Sequence, residues 1–258
     1  MMKKFLIILG FFIAVGNATP TWMWIGTYYM TPTETCGVPL DGAAHANNFW
    51  NSAVAHHPGG PNPNRYVNAP GKQMNITNLD NNSGYREWND FLFLMAHGDR
   101  QHMAIWSADQ TYTVAYEPPQ WQFGSNYTRW IYFQSCKVLE YINSAAWWDR
   151  WDGAFNGAQA CLGYRIEIPA YSSAGTPGVF WEYWAANSNQ MSLWNAHCQA
   201  TYDVLYNAGW DAEPASITSK EPNAYPTHYF FNDTYNVATS MAGTHQAEGY
   251  QYSVYEQP

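Results

Sequence analysis

The chain has 258 residues, 47% hydrophobic, 18% aromatic and only 12% charged, with a formal net charge of −9. Globular domains average about 25% charged residues, so polarity here rests on uncharged Asn, Gln, Ser, Thr and Tyr, which excludes a disordered, polyelectrolyte or collagen-like chain. So acidic a balance also argues against a nucleic acid or other polyphosphate partner.

The N-terminus has the make-up of an export signal. Lys3 and Lys4 form a cationic start, Phe5 to Val15 is apolar apart from Gly10, and Gly16-Asn17-Ala18 offers the small residues a signal peptidase reads. Residues 1–18 are therefore expected to be removed, leaving 19–258 as one secreted domain. The apolar run is well short of the ~20 residues that span a bilayer, and no later segment is long and apolar enough to do so. In an oxidising compartment Cys36, Cys136, Cys161 and Cys198 read first as two disulfides, their connectivity open.

Strands then alternate with helices. Trp22 to Tyr29 reads as a strand, and Leu40 to Val54 as an amphipathic helix opened by Asp41. His56 to Gly84 is rich in Pro, Gly and Asn and reads as irregular, with Asn75 and Asn81 as formal glycosylation acceptors. Asp90 to Ala96 is an apolar run suited to a strand buried on both faces, ending at His97-Gly98-Asp99. A hairpin follows (Met103 to Trp106, Tyr112 to Tyr116), then a short buried strand, Trp130 to Phe133, ending at Gln134-Ser135-Cys136. Ala145 to Phe155 reads as helix and Ala160 to Ile168 as strand; Val179 to Ala186 and Gln190 to Ala208 read as helices, the last stopped by Gly209. This order predicts an α/β fold, a mostly parallel sheet sandwiched by helices. No repeat, charge block or Gly/Ser linker marks a second domain.

The chemistry gathers at two strand ends. Side chains at the carboxyl ends of central strands in open α/β sheets face the ligand crevice, and His97 and Cys136 both follow buried strands. A thiol becomes a useful nucleophile when an imidazole can take its proton. Gly98 leaves a bare backbone N–H that, with the Cys136 N–H, can form an oxyanion hole. Asp99, Arg165 and Glu167 are candidates for substrate binding because they lie near strand ends.

Metal chemistry has no comparable pattern. CxxC, CxxCH and HExxH are absent; His97-x-Asp99 with His102, or His56-His57, offers common ligand types, but adjacent histidines in a Pro/Gly loop match no standard ligand spacing, and no metal or other cofactor is implied. His197-Cys198 falls within a helix, where consecutive side chains diverge, and reads as a buried Cys beside a surface His.

Phe91-Leu-Phe-Leu-Met-Ala-His97-Gly98 and Ile131-Tyr-Phe-Gln-Ser135-Cys136 resemble the paired motifs of clan CD cysteine peptidases, the caspase, legumain and gingipain group. The similarity covers roughly residues 88–168 and implies a caspase-like three-layer fold. It also implies His97 as general acid/base, Cys136 as nucleophile and a peptide or protein as substrate. The mature chain is similar as well to an exported prokaryotic family, domain of unknown function 6345. No activation segment is evident, and the resemblance supplies no specificity pocket.

Two functions from different classes follow. One is a secreted cysteine peptidase-like hydrolase using Cys136 and His97. The other is an inactive exported binding or cell-surface protein that recognises its partner through exposed Trp and Tyr. The spacing of Trp147, Trp148 and Trp151, and of Trp181 and Trp184, instead suits rings packed against the sheet.

Overall fold

The computed structural model describes residues 25–30, 42–56, 72–73, 89–106, 113–121, 123, 128–142, 145–152, 154–155, 157–170, 172–186, 190–219, 229–232, 234 and 250–255. Ala18 and the export signal, Cys36, Asp41, His57, Asn75 and Asn81 lie outside these residues. In chain order the elements are β1 (Ile25–Tyr29), α1 (Gly42–His56), β2 (Lys72–Gln73), β3 (Phe91–Met95), β4 (His97–Asp99), β5 (His102–Trp106) and β6 (Thr113–Tyr116). There follow β7 (Trp130–Gln134), α2 (Ala145–Asp152), β8 (Ala160–Tyr164), α3 (Thr176–Ala185), α4 (Leu193–Thr201), β9 (Pro214–Ser219) and β10 (Tyr250–Val254).

The main sheet has the order β10-β9-β8-β7-β3-β1-β2. Pairing is parallel from β2 through β8 and antiparallel at β9 and β10. The chain is thus a mixed α/β protein with a mainly parallel central sheet. Strands β3, β7 and β8 are buried at every position, which explains their unbroken apolar runs.

Each face of the sheet carries an aromatic layer. Phe91 and Phe93 of β3 lie 5.3 and 4.6 Å from Phe49 of α1, and Tyr132 of β7 lies 5.3 Å from Phe180 of α3. Phe133, the next residue of β7, points the other way and meets Trp121 and Trp151. The side chains of Trp147, Trp151, Trp181 and Trp184 are all buried, as their helical spacing predicts. A partly buried ion pair of Arg129 with Asp90 (3.0 Å) ties the entrances of β7 and β3.

Several elements depart from the sequence reading. β9, PASITS, is entirely buried without an apolar run, and its Thr218 and Ser219 hydroxyls donate to the Gln159 carbonyl. β2, β9 and β10 were not anticipated. The helix expected to run to Ala208 is regular only to Thr201, continues as one π-turn over Tyr202–Tyr206, and stops at Gly209, where φ is +81°.

The cysteines also differ from expectation. Cys136, Cys161 and Cys198 are free thiols, so the two-disulfide reading does not hold. Cys161 sits buried mid-strand between Ile131 and Ile217. On α4 the expected pattern is inverted: His197 is fully buried, its Nε2 bonded to the Gly163 carbonyl at 2.9 Å, while Cys198 is half-exposed. The helix face turned to the sheet is the one carrying residues 193, 196, 197 and 200, which leaves position 198 at the edge. No helix among the described residues is long and apolar enough to cross a membrane.

Candidate active site

One constant offset builds the site. β3 and β7 pair in register from Phe91 with Trp130 to Met95 with Gln134, always 39 positions apart. Asp90 with Arg129 and Ala96 with Ser135 continue that offset at either end. His97 and Cys136 have the same separation, so the two motifs leave adjacent parallel strands at one level.

Ser135 fixes that level. Its hydroxyl donates to the Ala96 carbonyl (2.8 Å) and accepts from the Ala96 N–H (3.3 Å), so the residue before His97 is bonded twice to the residue before Cys136. The sequence marks Ser135 only as a small residue; its tie to the other motif shows in three dimensions alone.

After Ala96 the chain leaves the main sheet and enters a three-stranded antiparallel sheet, β4-β5-β6. β4 and β5 meet in a two-residue turn, Arg100-Gln101, with φ of 37° and 77°. Positive φ at both positions is the mark of a type I′ hairpin, in which the flanking residues Asp99 and His102 form a hydrogen-bonded pair. Gly98 and Met103 are then the non-bonded pair, which directs the Gly98 N–H away from β5, to the open edge of β4. That donor stays available for a reacting oxygen.

The turn is docked onto the segment after Cys136. The Gln101 N–H donates to the Lys137 carbonyl (3.1 Å) and its side-chain amide to the Glu140 carbonyl (3.4 Å). Lys137 itself has φ of 52°, a rare state for a non-glycine residue. Uncommon backbone states thus meet on both sides of this contact, Arg100 and Gln101 on one and Lys137 on the other.

Cys136 reaches toward the loop after β8. Its Sγ lies 3.5 Å from the Ile168 carbonyl as donor and 3.4 Å from the Ile168 N–H as acceptor. Burial pushes the thiol above its ordinary value; the Ile168 N–H and Lys137 pull it down and Glu167 pushes it up, with the balance upward. The resting group is therefore a protonated thiol rather than a preformed thiolate.

Two cavities meet at His97 and Gly98. One, of about 300 Å³, is lined by His97, Gly98, Gln134, Cys136, Ile168 and Ser173 among others. The other, of about 470 Å³, is lined by His97, Gly98, Asp99, His102, Lys137 and Glu167. Cys136 thus opens onto the first, while charged groups surround the second.

The structure brings His97, Gly98, Cys136 and Glu167 to one cavity, and Asp99 to its neighbour. Glu167 is exposed and paired with Lys137 at 2.6 Å, which holds its carboxyl below the usual range and raises the lysine. Arg165 is not among the residues lining either cavity; its side chain pairs with Glu213 beyond the end of β8. Position near a strand end did not decide its direction. Ile168 and Ser173 line the cavity although no charge or motif marks them, and Gln134 lines it from within the second motif. Among the described residues no group of three or more His, Cys, Asp or Glu could hold a metal ion.

A family model described as Domain of unknown function (DUF6345) matches residues 28–252. No curated protein matches the chain.

Proposed function

We propose that this chain, which belongs to the family described as domain of unknown function (DUF6345), is a secreted cysteine hydrolase of caspase-like three-layer architecture. It transfers the acyl group of a peptide substrate to Cys136. The observation that carries this reading is the shared cavity of His97 and Cys136 at equal register on adjacent strands, with Ser135 bonded across to Ala96. The free thiol of Cys136 and the outward-facing Gly98 N–H support it.

Because the resting thiol keeps its proton, attack needs a base in the same step. His97 takes the proton as Sγ bonds to the carbonyl carbon, and the Gly98 and Cys136 N–H groups receive the oxygen's developing charge. The C–N bond then breaks, and His97 returns the proton to the departing amine, leaving a thioester. Water, deprotonated by His97, attacks that thioester, releasing the acid and restoring the thiol. Cys136→Ala is expected to abolish hydrolysis of a peptide or ester library while leaving thermal stability nearly unchanged; equal turnover by the variant refutes the assignment.

The reading as a binding protein has its own observation. Tyr202 and Tyr206 stack in the open at 5.1 Å, Trp210 and Tyr255 are exposed, and Trp194, Tyr202 and Tyr255 line a groove of about 600 Å³. Trp147, Trp151, Trp181 and Trp184, by contrast, are packed in the core, while the side chain of Trp148 lies outside those described. Retained partner binding by Cys136→Ala, with no turnover by the wild type, selects this second reading.

A further inference from the structure

The groove at the end of α4 carries a chemistry different from that at His97. It holds about 600 Å³, within the ~300–1,000 Å³ of small-molecule sites, and shares no lining residue with either cavity at His97. Three rings line it: Trp194 from α4, Tyr202 from the turn that follows, and Tyr255 just after β10. Between them stand the amides of Asn195 and Gln199 and the sulfur-bearing Met191 and Cys198. None of these described residues carries a charge, since burial pushes the Cys198 thiol far above its ordinary value. None is fully buried, and Asn195, Tyr202 and Tyr255 are exposed, so the groove is open to a ligand.

Two of the lining groups are braced. The regular helix gives way at Tyr202 to a π-turn, an irregularity frequent at functional sites. On that turn Tyr202 stacks with Tyr206 at 5.1 Å and 23°, so the ring that lines the groove is backed by a second exposed ring. Gln199 is oriented from the other side. Its Nε2 donates to Asp203 Oδ1 at 3.0 Å, while Asp203 Oδ2 accepts from the Tyr183 hydroxyl of α3. A carboxylate only accepts, so the amide cannot be reversed, and Gln199 Oε1 is the atom left to receive a donor.

We propose that this groove binds a neutral oligosaccharide. A pyranose ring presents C–H groups on its flat faces and hydroxyls around its rim, so its site must supply aromatic surface and uncharged hydrogen-bonding groups together. The C–H face lies on the electron-rich face of Tyr202 or Tyr255, rigid rings that give this contact at low entropic cost. Rim hydroxyls donate to Gln199 Oε1 and both donate to and accept from the Asn195 amide. A nucleic acid or an acidic glycan meets no cation in the lining, on a chain whose net charge is −9. A wholly apolar ligand takes water from the two amides without replacing its hydrogen bonds. The inference rests on the reading of this groove as a binding surface and holds whether or not Cys136 is a nucleophile.

The test titrates cellopentaose, N-acetylchitopentaose, mannopentaose and the acidic pentagalacturonate onto the purified protein, followed by NMR and calorimetry. Saturable binding of at least one neutral member, tighter than any binding of pentagalacturonate, is expected. Tyr202→Ala should weaken it about fivefold or more, with the melting temperature little changed, and Tyr202→Phe should retain it. Should the alanine variant not fold, the panel on the wild type decides. Binding of no neutral member, or equal binding of pentagalacturonate, overturns the proposal. So does neutral binding that Tyr202→Ala and Tyr255→Ala both leave unchanged. Dimerisation that depends on Tyr202, without glycan binding, assigns the groove to a second copy of the chain and overturns it equally. Peptide hydrolysis is measured separately in wild type and Tyr202→Ala. Turnover without glycan binding removes the ligand of this groove and leaves the nucleophile; glycan binding without turnover does the reverse.

Discussion

Gly98 packs directly against the backbone of Cys136: a methyl group on Gly98 would lie 2.2 Å from the Cys136 carbonyl oxygen and 2.9 Å from Val138. The two halves of the site are thus in backbone contact, and the absence of a side chain at position 98 is what permits it.

Gly98→Ala is accordingly expected to disrupt the site rather than adjust it. The atom in the way is backbone, on a turn whose next residue holds a positive φ, so it has little freedom to retreat. Overpacking of this kind costs about 1–3 kcal/mol. A lowered melting temperature together with loss of Cys136-dependent hydrolysis is predicted. A variant with wild-type melting and turnover contradicts the contact.

Ser135→Ala tests the bond between the motifs. Removing the hydroxyl takes a buried partner from both the Ala96 N–H and its carbonyl, which should cost about 1–3 kcal/mol. If Ser135 also positions His97 against Cys136, the variant should lower kcat more than it raises KM, and Ser135→Thr should restore part of the rate. Stability loss with unchanged kcat leaves Ser135 a purely structural residue.

The charges flanking Cys136 should move its titration in opposite directions. Glu167 pushes the thiol up and Lys137 pulls it down. Glu167→Gln is expected to shift the alkylation profile of Cys136 to lower pH, and Lys137→Asn to higher pH; asparagine tolerates the positive φ at 137. Coincident profiles for the two variants contradict this arrangement.

Much of the site was legible because its determinants are local. Buried strands need apolar runs, and Phe91–Met95 and Trp130–Gln134 have them, so both strand ends could be found along with His97, Gly98 and Cys136. What lay hidden depends on contacts between distant segments. Ser173 lines the cavity from a distant segment and has ordinary neighbours in sequence. The strand Pro214–Ser219 pairs antiparallel on both edges and is buried throughout, although Ile217 is its one large aliphatic side chain. His197 and Cys198 came out reversed because helix phase, not composition, decides which of two adjacent residues faces a sheet.

His197 gives the fold an acid sensitivity of its own. Burial lowers its pKa from 6.5 to about 4, against the opposing bond to the Gly163 carbonyl. The unfolded chain therefore takes up the proton first: the stability is fully present above pH 6.5 and is lost as pH falls from there toward 4. The loss amounts to about 3 kcal/mol. Denaturant melts from pH 7 to 4 should show this slope in the wild type and a shallower one in His197→Gln. Parallel slopes would assign the acid sensitivity to other groups.

The most direct measurement is alkylation of the purified, unreduced protein across a pH series, with peptide mapping of each cysteine, in wild type and in His97→Ala. The account predicts that Cys136 labels as a free thiol, with buried Cys161 lagging behind, that its rate rises with pH, and that His97→Ala slows it. A Cys136 found in a disulfide, or labelled equally fast with and without His97, contradicts it.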